Sequence, residues 1–180
     1  MINKAATALK LTLKDVKIDV NDTGKNTGYP WTSDEGKAAL SVQGNGNVEI
    51  ELDGNNELKS GPHRAGLEKN TSTSTGTLTL KDDNNEAGSL KATGNFNGAG
   101  IGGSKDNGTN KIIITGGTVT AAGGNGAGIG GGGYNGNGKN ITITGGRVNA
   151  VGTDGAGIGG GEEANGEDIT ITGGTVTATS

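Results

Sequence analysis

Short stretches in which apolar and polar residues alternate recur through the second half of this 180-residue chain. Residues 141–144 read Ile-Thr-Ile-Thr. The segment that follows the Gly-Gly pair of residues 145–146 ends in Val-Asn-Ala at residues 148–150. A period of two is typical of a β-strand with one buried face, and neither segment has the longer period of a helix. The pattern therefore predicts two short strands on either side of a glycine corner.

The same stretches belong to an internal repeat. Residues 98–103, 126–131 and 155–160 all read Gly-Ala-Gly-Ile-Gly-Gly, and Ile-Thr-Gly-Gly recurs in step with them. The Gly-Ala-Gly-Ile segment alternates too, which adds a third short strand. No repeat can bury a face alone, so copies are expected to stack about 4.8 Å apart, each strand parallel to its successor. We predict an all-β fold: a single-stranded right-handed parallel β-helix, or solenoid, of about five to six coils of 28 to 37 residues, with three short strands per coil.

Read with the same phasing, the first half of the chain gives more degenerate coils, in which Leu and Val replace Ile. Leu11 and Leu13 open the first coil in this register, and Leu58 and Leu90 align with Val119. Further matches place Val48 and Leu78 level with Ile112, and Ile50 and Leu80 level with Ile114. Leu40 and Leu67 are level with Ile101.

We therefore expect one domain over residues 1–180, with degenerate coils in residues 1–97 and regular repeats in residues 98–180. Residues 21–39 form the largest insertion, which we interpret as a flap or an end cap. The last strand ends without an obvious cap for its edge, so we expect the chain to be a fragment of a longer surface protein.

Composition narrows the function classes. Gly 39, Thr 23 and Asn 20 together make up nearly half of the chain, and the net charge is only −4. The regular spacing of the few apolar residues argues against disorder. No cysteine is present, which excludes disulfide frameworks and thiolate metal sites. The Lys and Arg residues are scattered along the chain, which argues against the binding of nucleic acid. No apolar run is long enough for membrane insertion. No signal peptide is visible, so any export signal is expected to have been removed.

The alternating Gly-Ala-Gly-Ile-Gly-Gly-Gly and Ile-Thr-Ile-Thr-Gly-Gly runs of residues 98–180 resemble repeat domains of Gram-positive bacterial surface proteins. They are also similar to a parallel β-helix family described as carbohydrate-binding. This resemblance implies an extracellular setting, either secreted or at the bacterial cell surface. It also implies a polysaccharide or a host or cell-surface glycan as partner, and calcium as a cofactor. It carries no catalytic signature, so we expect an adhesin-like or carbohydrate-binding module that is not an enzyme.

Acidic residues concentrate near the end of the chain, with no base among them after Arg147. Calcium prefers several such hard oxygen ligands. The candidate ligands are Asp154, Glu162, Glu163, Glu167 and Asp168. Their spacing fits no known calcium loop, so a solvated run of loop charges is the competing interpretation.

Aromatic side chains are the usual platform for sugar rings, and the chain has few of them. Trp31 and Tyr134 lie in predicted loops and are the candidate ligand residues, whereas Phe96 is expected in the core. Gly128 and Gly130 are a second candidate, because glycine rows facing outward would form a trough for a flat ligand. The competing interpretation is that these glycines are required by tight backbone geometry.

Other functions have weaker support in the sequence. Gly-Ala-Gly-Ile-Gly-Gly satisfies a dinucleotide-binding pattern, but it occurs three times with no helix after it. A β-helix lyase or glycosidase could use the Asp82–Asp83 pair, and His63 is the only histidine, although both are expected in loops.

Rows of threonine residues suggest ice binding as one more alternative function. Thr142 and Thr144, repeated by Thr170 and Thr172, resemble the ladders of ice-binding proteins. Threonine is also a good strand residue, and a purely structural spacer or stalk would need no ligand.

Overall fold

The structure is a computed structural model that describes residues 1–24, 35–84 and 86–180. The regular elements of these residues are β-strands. In chain order they are β1 (Leu9–Lys14), β2 (Lys17–Asp19), β3 (Leu40–Ser41), β4 (Val48–Pro62), β5 (Leu67–Glu68), β6 (Leu78–Lys81), β7 (Gly88–Asn95), β8 (Ile101–Gly102), β9 (Thr109–Ile114), β10 (Thr118–Ala122), β11 (Ile129–Gly130), β12 (Gly138–Ile143), β13 (Arg147–Val151), β14 (Ile158–Gly159), β15 (Gly166–Ile171) and β16 (Thr175–Thr179).

The strands pair in parallel and form three stacks. The first stack holds β1, β4, β6, β9, β12 and β15, and the second holds β2, β4, β7, β10, β13 and β16. The third stack holds the two-residue strands β3, β5, β8, β11 and β14. β4 belongs to two stacks because its 15 residues run through the corner between them. The predicted all-β fold of stacked parallel strands is thus confirmed, and the molecule is a parallel β-helix.

The core lies between the stacks and is built from rows of aliphatic side chains, which are identical in the later coils. Ile112, Ile141 and Ile169 are paired in one such row, and the first two are fully buried. Each fully buried aliphatic side chain contributes roughly 1.5 to 3 kcal/mol to folding. Ile171, in the terminal strand β15, is 50% exposed, because β15 is the last strand of its stack in the described chain.

The register predicted for the earliest coil is wrong by two residues. Leu9 pairs with Val48 and Leu11 pairs with Ile50, so the inward row begins at Leu9 and not at Leu11. The outward positions shift with it: Lys10, and not Thr12, pairs with Glu49. Alternation alone cannot choose between two registers that differ by two residues, because both bury the same face.

The alignment of Leu58 with Val119 is also wrong, whereas that of Leu90 is confirmed. Leu58 pairs with Ala92, and Asn56 takes the position beside Leu90. Asn56 is buried there because its Nδ2 donates to the main-chain oxygens of Leu13, Asp53 and Ser89. An amide that satisfies three carbonyl groups at the corner replaces the aliphatic side chain found in later coils.

The predicted outward trough of bare glycine does not form. Gly128 and Gly130 are buried between neighbouring strands. A Cβ on Gly128 would lie 2.5 Å from the nitrogen of Val151 and 2.7 Å from the oxygen of Gly157. Gly130 has φ +146°, and a Cβ there would overlap the oxygen of Gly159. These glycines serve close backbone packing, which is the structural interpretation of the motif.

Two further predictions concern the surface. Most of the insertion at residues 21–39, including Trp31, lies outside the described residues. The threonine row is short, because Thr142 pairs with Thr170 on one side but with Ile113 on the other.

No helix in the described part of the chain is long and apolar enough to cross a membrane.

Candidate functional site

A pocket of about 440 Å³ lies beside the short strands β8 and β11. The turns that precede and follow these strands supply most of its wall. The lining residues are His63, Phe96, Asn97, Lys105, Asp106, Asn125 and Tyr134. The pocket therefore spans three successive coils, and no single repeat could form it.

Main-chain hydrogen bonds between coils hold the two walls together. In each case the turn after a third-stack strand donates to the turn before the equivalent strand of the preceding coil. The donor and acceptor pairs are Lys105 N to His63 O (2.9 Å), Gly133 N to Asn97 O (2.8 Å) and Glu162 N to Asn125 O (2.8 Å). The pocket walls are thus fixed by the same repeat that builds the fold.

Three scarce ring side chains meet in this pocket. The chain contains one His, one Phe and two Tyr, and His63, Phe96 and Tyr134 all line the same cavity. The rings of His63 and Phe96 are 5.6 Å apart between centroids and tilted by 59°. Phe96 is 41% exposed, so the prediction that it lies in the core is wrong. Its ring is available to a ligand because the turn directs it away from the apolar rows.

All three residues have a left-handed backbone. The φ angles are 64° for His63, 55° for Phe96 and 58° for Tyr134. A non-glycine residue in this region costs about 1 to 2 kcal/mol. Asp106 and Glu163, the equivalents of Tyr134 in neighbouring coils, share its conformation with φ 59° and 58°. The coil geometry therefore imposes the strained turn, and the aromatic side chain at this level is a feature of one coil.

The deepest polar group is the side-chain amide of Asn97, which is only 4% exposed. Its Nδ2 lies 3.1 Å from Nδ1 of His63 and donates a hydrogen bond to it. Its Oδ1 has no hydrogen-bond partner among the described residues. Such a buried unpaired acceptor costs about 1 to 3 kcal/mol, a cost that a donor on a ligand would remove.

Charged and amide groups lie around the mouth of the pocket. Nζ of Lys105 is 5.9 Å from the ring centroid of Tyr134 and forms no ion pair with any carboxylate in the described ranges. Asn125 Nδ2 donates to Glu162 Oε2 over 2.6 Å, which leaves the carbonyl oxygen of this amide as an acceptor. The exposed carboxylate of Asp106 adds another acceptor.

Of the predicted ligand residues, Tyr134 lies in this pocket, Gly128 and Gly130 are buried away from it, and Trp31 is outside the described residues. The other lining residues were not predicted as ligands. One sequence signal could have found three of them. His63, Asn97 and Asn125 each stand four positions before the first residue of a third-stack strand, so they form a column of polar side chains.

The acidic residues of the last coil have separate surroundings. Glu162 is bound by Asn125, and Glu167 forms an ion pair with Lys139 at 2.8 Å. The remaining three are exposed: Asp154, Glu163 and Asp168. Within residues 1–24, 35–84 and 86–180, no group of three or more His, Cys, Asp or Glu side chains is placed to hold a metal ion.

The Asp82–Asp83 pair is occupied by local contacts. Asp83 accepts hydrogen bonds of 3.0 Å from Lys81, which lowers the pKa of its carboxyl group. Asp82 accepts one from the nitrogen of Gly88 at 3.2 Å. A general acid needs a raised pKa at neutral pH, so the surroundings of Asp83 do not favour that role.

Comparison with known families agrees with the architecture. Residues 86–105, 112–133, 141–162 and 169–180 match a family model described as beta helix repeat. No curated protein and no solved structure gives a significant match to the chain. These segments are thus β-helix repeats, in agreement with the stacked parallel strands.

Proposed function

We propose that this chain is a non-enzymatic carbohydrate-binding module and that a sugar ring binds in the pocket of Phe96 and Tyr134. The observation that carries the proposal is the convergence of His63, Phe96 and Tyr134, in a chain with so few aromatic residues, on one solvent-accessible cavity. A sugar ring has apolar C–H faces that pack on aromatic rings and a rim of hydroxyl groups that need hydrogen-bond partners.

The polar lining suits the second requirement. Asn97 and Asn125 offer carbonyl oxygens, Asp106 offers a carboxylate, and Lys105 offers a donor. The main chain around these groups is fixed by hydrogen bonds between coils, so little ordering is needed when a ligand binds. A preformed site loses less conformational entropy on binding than a flexible loop would.

We further propose an extracellular setting, secreted or on a bacterial cell surface, in which adjacent domains of a longer chain position this module. Its partner would then be a polysaccharide or a host or cell-surface glycan. Stacked coils give a stiff rod with the pocket on its side, a geometry that suits display and adhesion.

A glycan array with the wild-type chain tests the proposal. We expect binding that is lost in Tyr134→Ala and Phe96→Ala and retained in Asn149→Ala, which changes an exposed side chain of β13. Thermal melting of all variants controls for folding. A wild-type chain that binds no glycan on the array would contradict the proposal and favour a purely structural spacer.

A further inference from the structure

The lining of the pocket combines three features. An unpaired acceptor, Asn97 Oδ1, is almost fully buried. The apolar rings of Phe96 and Tyr134 lie on the same lining, and the amino group of Lys105 stands over the Tyr134 ring. A group that fits all three must offer one hydrogen-bond donor, one apolar surface and one acceptor.

The acetamido group of an N-acetylated sugar has this combination. Its N–H is a donor, its methyl group is apolar, and its carbonyl oxygen is an acceptor. We propose that the pocket selects N-acetylated amino sugars: the N–H donates to Asn97 Oδ1, the methyl packs against the rings, and the carbonyl accepts from Lys105. This inference rests on the proposed carbohydrate-binding function and adds the class of sugar.

Other sugar classes fit less well. A hydroxyl group in place of the acetamido group can donate to Asn97 but brings no apolar surface to the rings. A uronic acid would bring a carboxylate into a pocket that the carboxylate of Asp106 already lines, and the lining residue Asn125 is bound to a second carboxylate, that of Glu162. The like charges disfavour binding.

Two tetrasaccharides that differ only at C2 provide the sharpest test. The β-1,4-linked tetramer of N-acetylglucosamine carries acetamido groups where the β-1,4-linked glucose tetramer carries hydroxyl groups. Isothermal titration of the full 180-residue chain should show the acetylated tetramer binding about tenfold tighter or better, since only that tetramer adds a methyl group that packs on the rings and a carbonyl oxygen that accepts from Lys105.

Two substitutions at Asn97 test the contact that its side chain makes with the sugar. Asn97→Leu removes the acceptor and should weaken the binding of both tetramers, since the N–H of one and the C2 hydroxyl of the other both donate to it. Asn97→Asp keeps an acceptor oxygen at this place and should retain the preference for the acetylated tetramer. Thermal melting verifies that both variants fold, and Asn149→Leu serves as the exposed control.

The outcomes distinguish a failure of the acetamido preference from a failure of the proposed carbohydrate-binding function. Equal affinities for the two tetramers, both lost in Tyr134→Ala, would overturn the acetamido preference and leave the carbohydrate site intact. Tight binding of the deacetylated, amine-bearing tetramer would also overturn the preference. If the acetylated tetramer binds equally well to Tyr134→Ala, or does not bind at all, the inference is wrong, and the glycan array then decides the proposed function.

Discussion

The amino group of Lys69 donates a 2.7 Å hydrogen bond to the main-chain oxygen of Asn110 and lies 3.3 Å from the Oδ1 atom of the same residue. Lys69 directly follows β5, level with a glycine of the next coil, Gly103, and its side chain is fully buried. Burial, and secondarily the charge of Lys111, lower the pKa of Lys69 to about 8. One coil thus replaces a small residue by a buried amine that joins the segment after β5 to β9.

We expect this lysine to make stability rise with pH in the weakly alkaline range. Between about pH 8 and pH 10 the folded chain releases the Lys69 proton while the unfolded chain retains it, so proton release favours folding. The free energy of unfolding of the wild type should therefore rise by roughly 2 kcal/mol relative to Lys69→Met across this window. Urea titrations at several pH values measure the difference. Lys4→Met, at an exposed position, is the control and should follow the wild type.

Alanine substitutions at Gly130 and Gly159 allow the cost of backbone strain to be measured apart from the cost of steric overlap. Their φ angles are nearly equal, +146° and +142°, but a Cβ on Gly130 would overlap the oxygen of Gly159, whereas one on Gly159 has its nearest neighbour at 3.4 Å. We expect Gly159→Ala to cost about 1 kcal/mol and Gly130→Ala to cost roughly 2 kcal/mol more. Denaturant unfolding of the two variants provides the comparison, and equal losses would mean that the overlap contributes nothing.

Ile143 and Thr142 test the inward and outward faces of β12. Ile143 is fully buried in its row, while Thr142 is only half-buried on the opposite face. Ile143→Asp should destabilise the fold by several kcal/mol, because it places an unpaired charge in an apolar row. Thr142→Asp should change stability by about 1 kcal/mol or less. Similar melting temperatures for the two variants would refute the assignment of the faces.

Calcium provides a test of the acidic last coil. Binding to the folded state alone would raise the melting temperature. Because Glu162 and Glu167 are engaged by Asn125 and Lys139, we expect the melting temperature to be the same in chelator and in millimolar calcium. A rise of several degrees that disappears in Glu162→Gln combined with Glu163→Gln would instead establish a calcium site in this coil.

Only some of the residues that line the pocket could be predicted from the sequence. Tyr134 could be named in advance, because it is an aromatic residue in a loop of a regular repeat. Phe96 could not, since an isolated phenylalanine is more often in a core than on a surface. The turn of Phe96 has a φ of 55°, a conformation that the sequence does not reveal and that exposes the ring.

The sequence by itself determined the strands, their parallel stacking and the inward rows of the regular repeats, because a short period repeated at fixed spacing leaves one way to bury the apolar face. Only the tertiary structure decided the register of the first coil, the burial of Gly128 and Gly130, and the meeting of His63, Phe96 and Tyr134. These features depend on contacts between residues about 30 to 70 positions apart, and local alternation carries no information about such contacts.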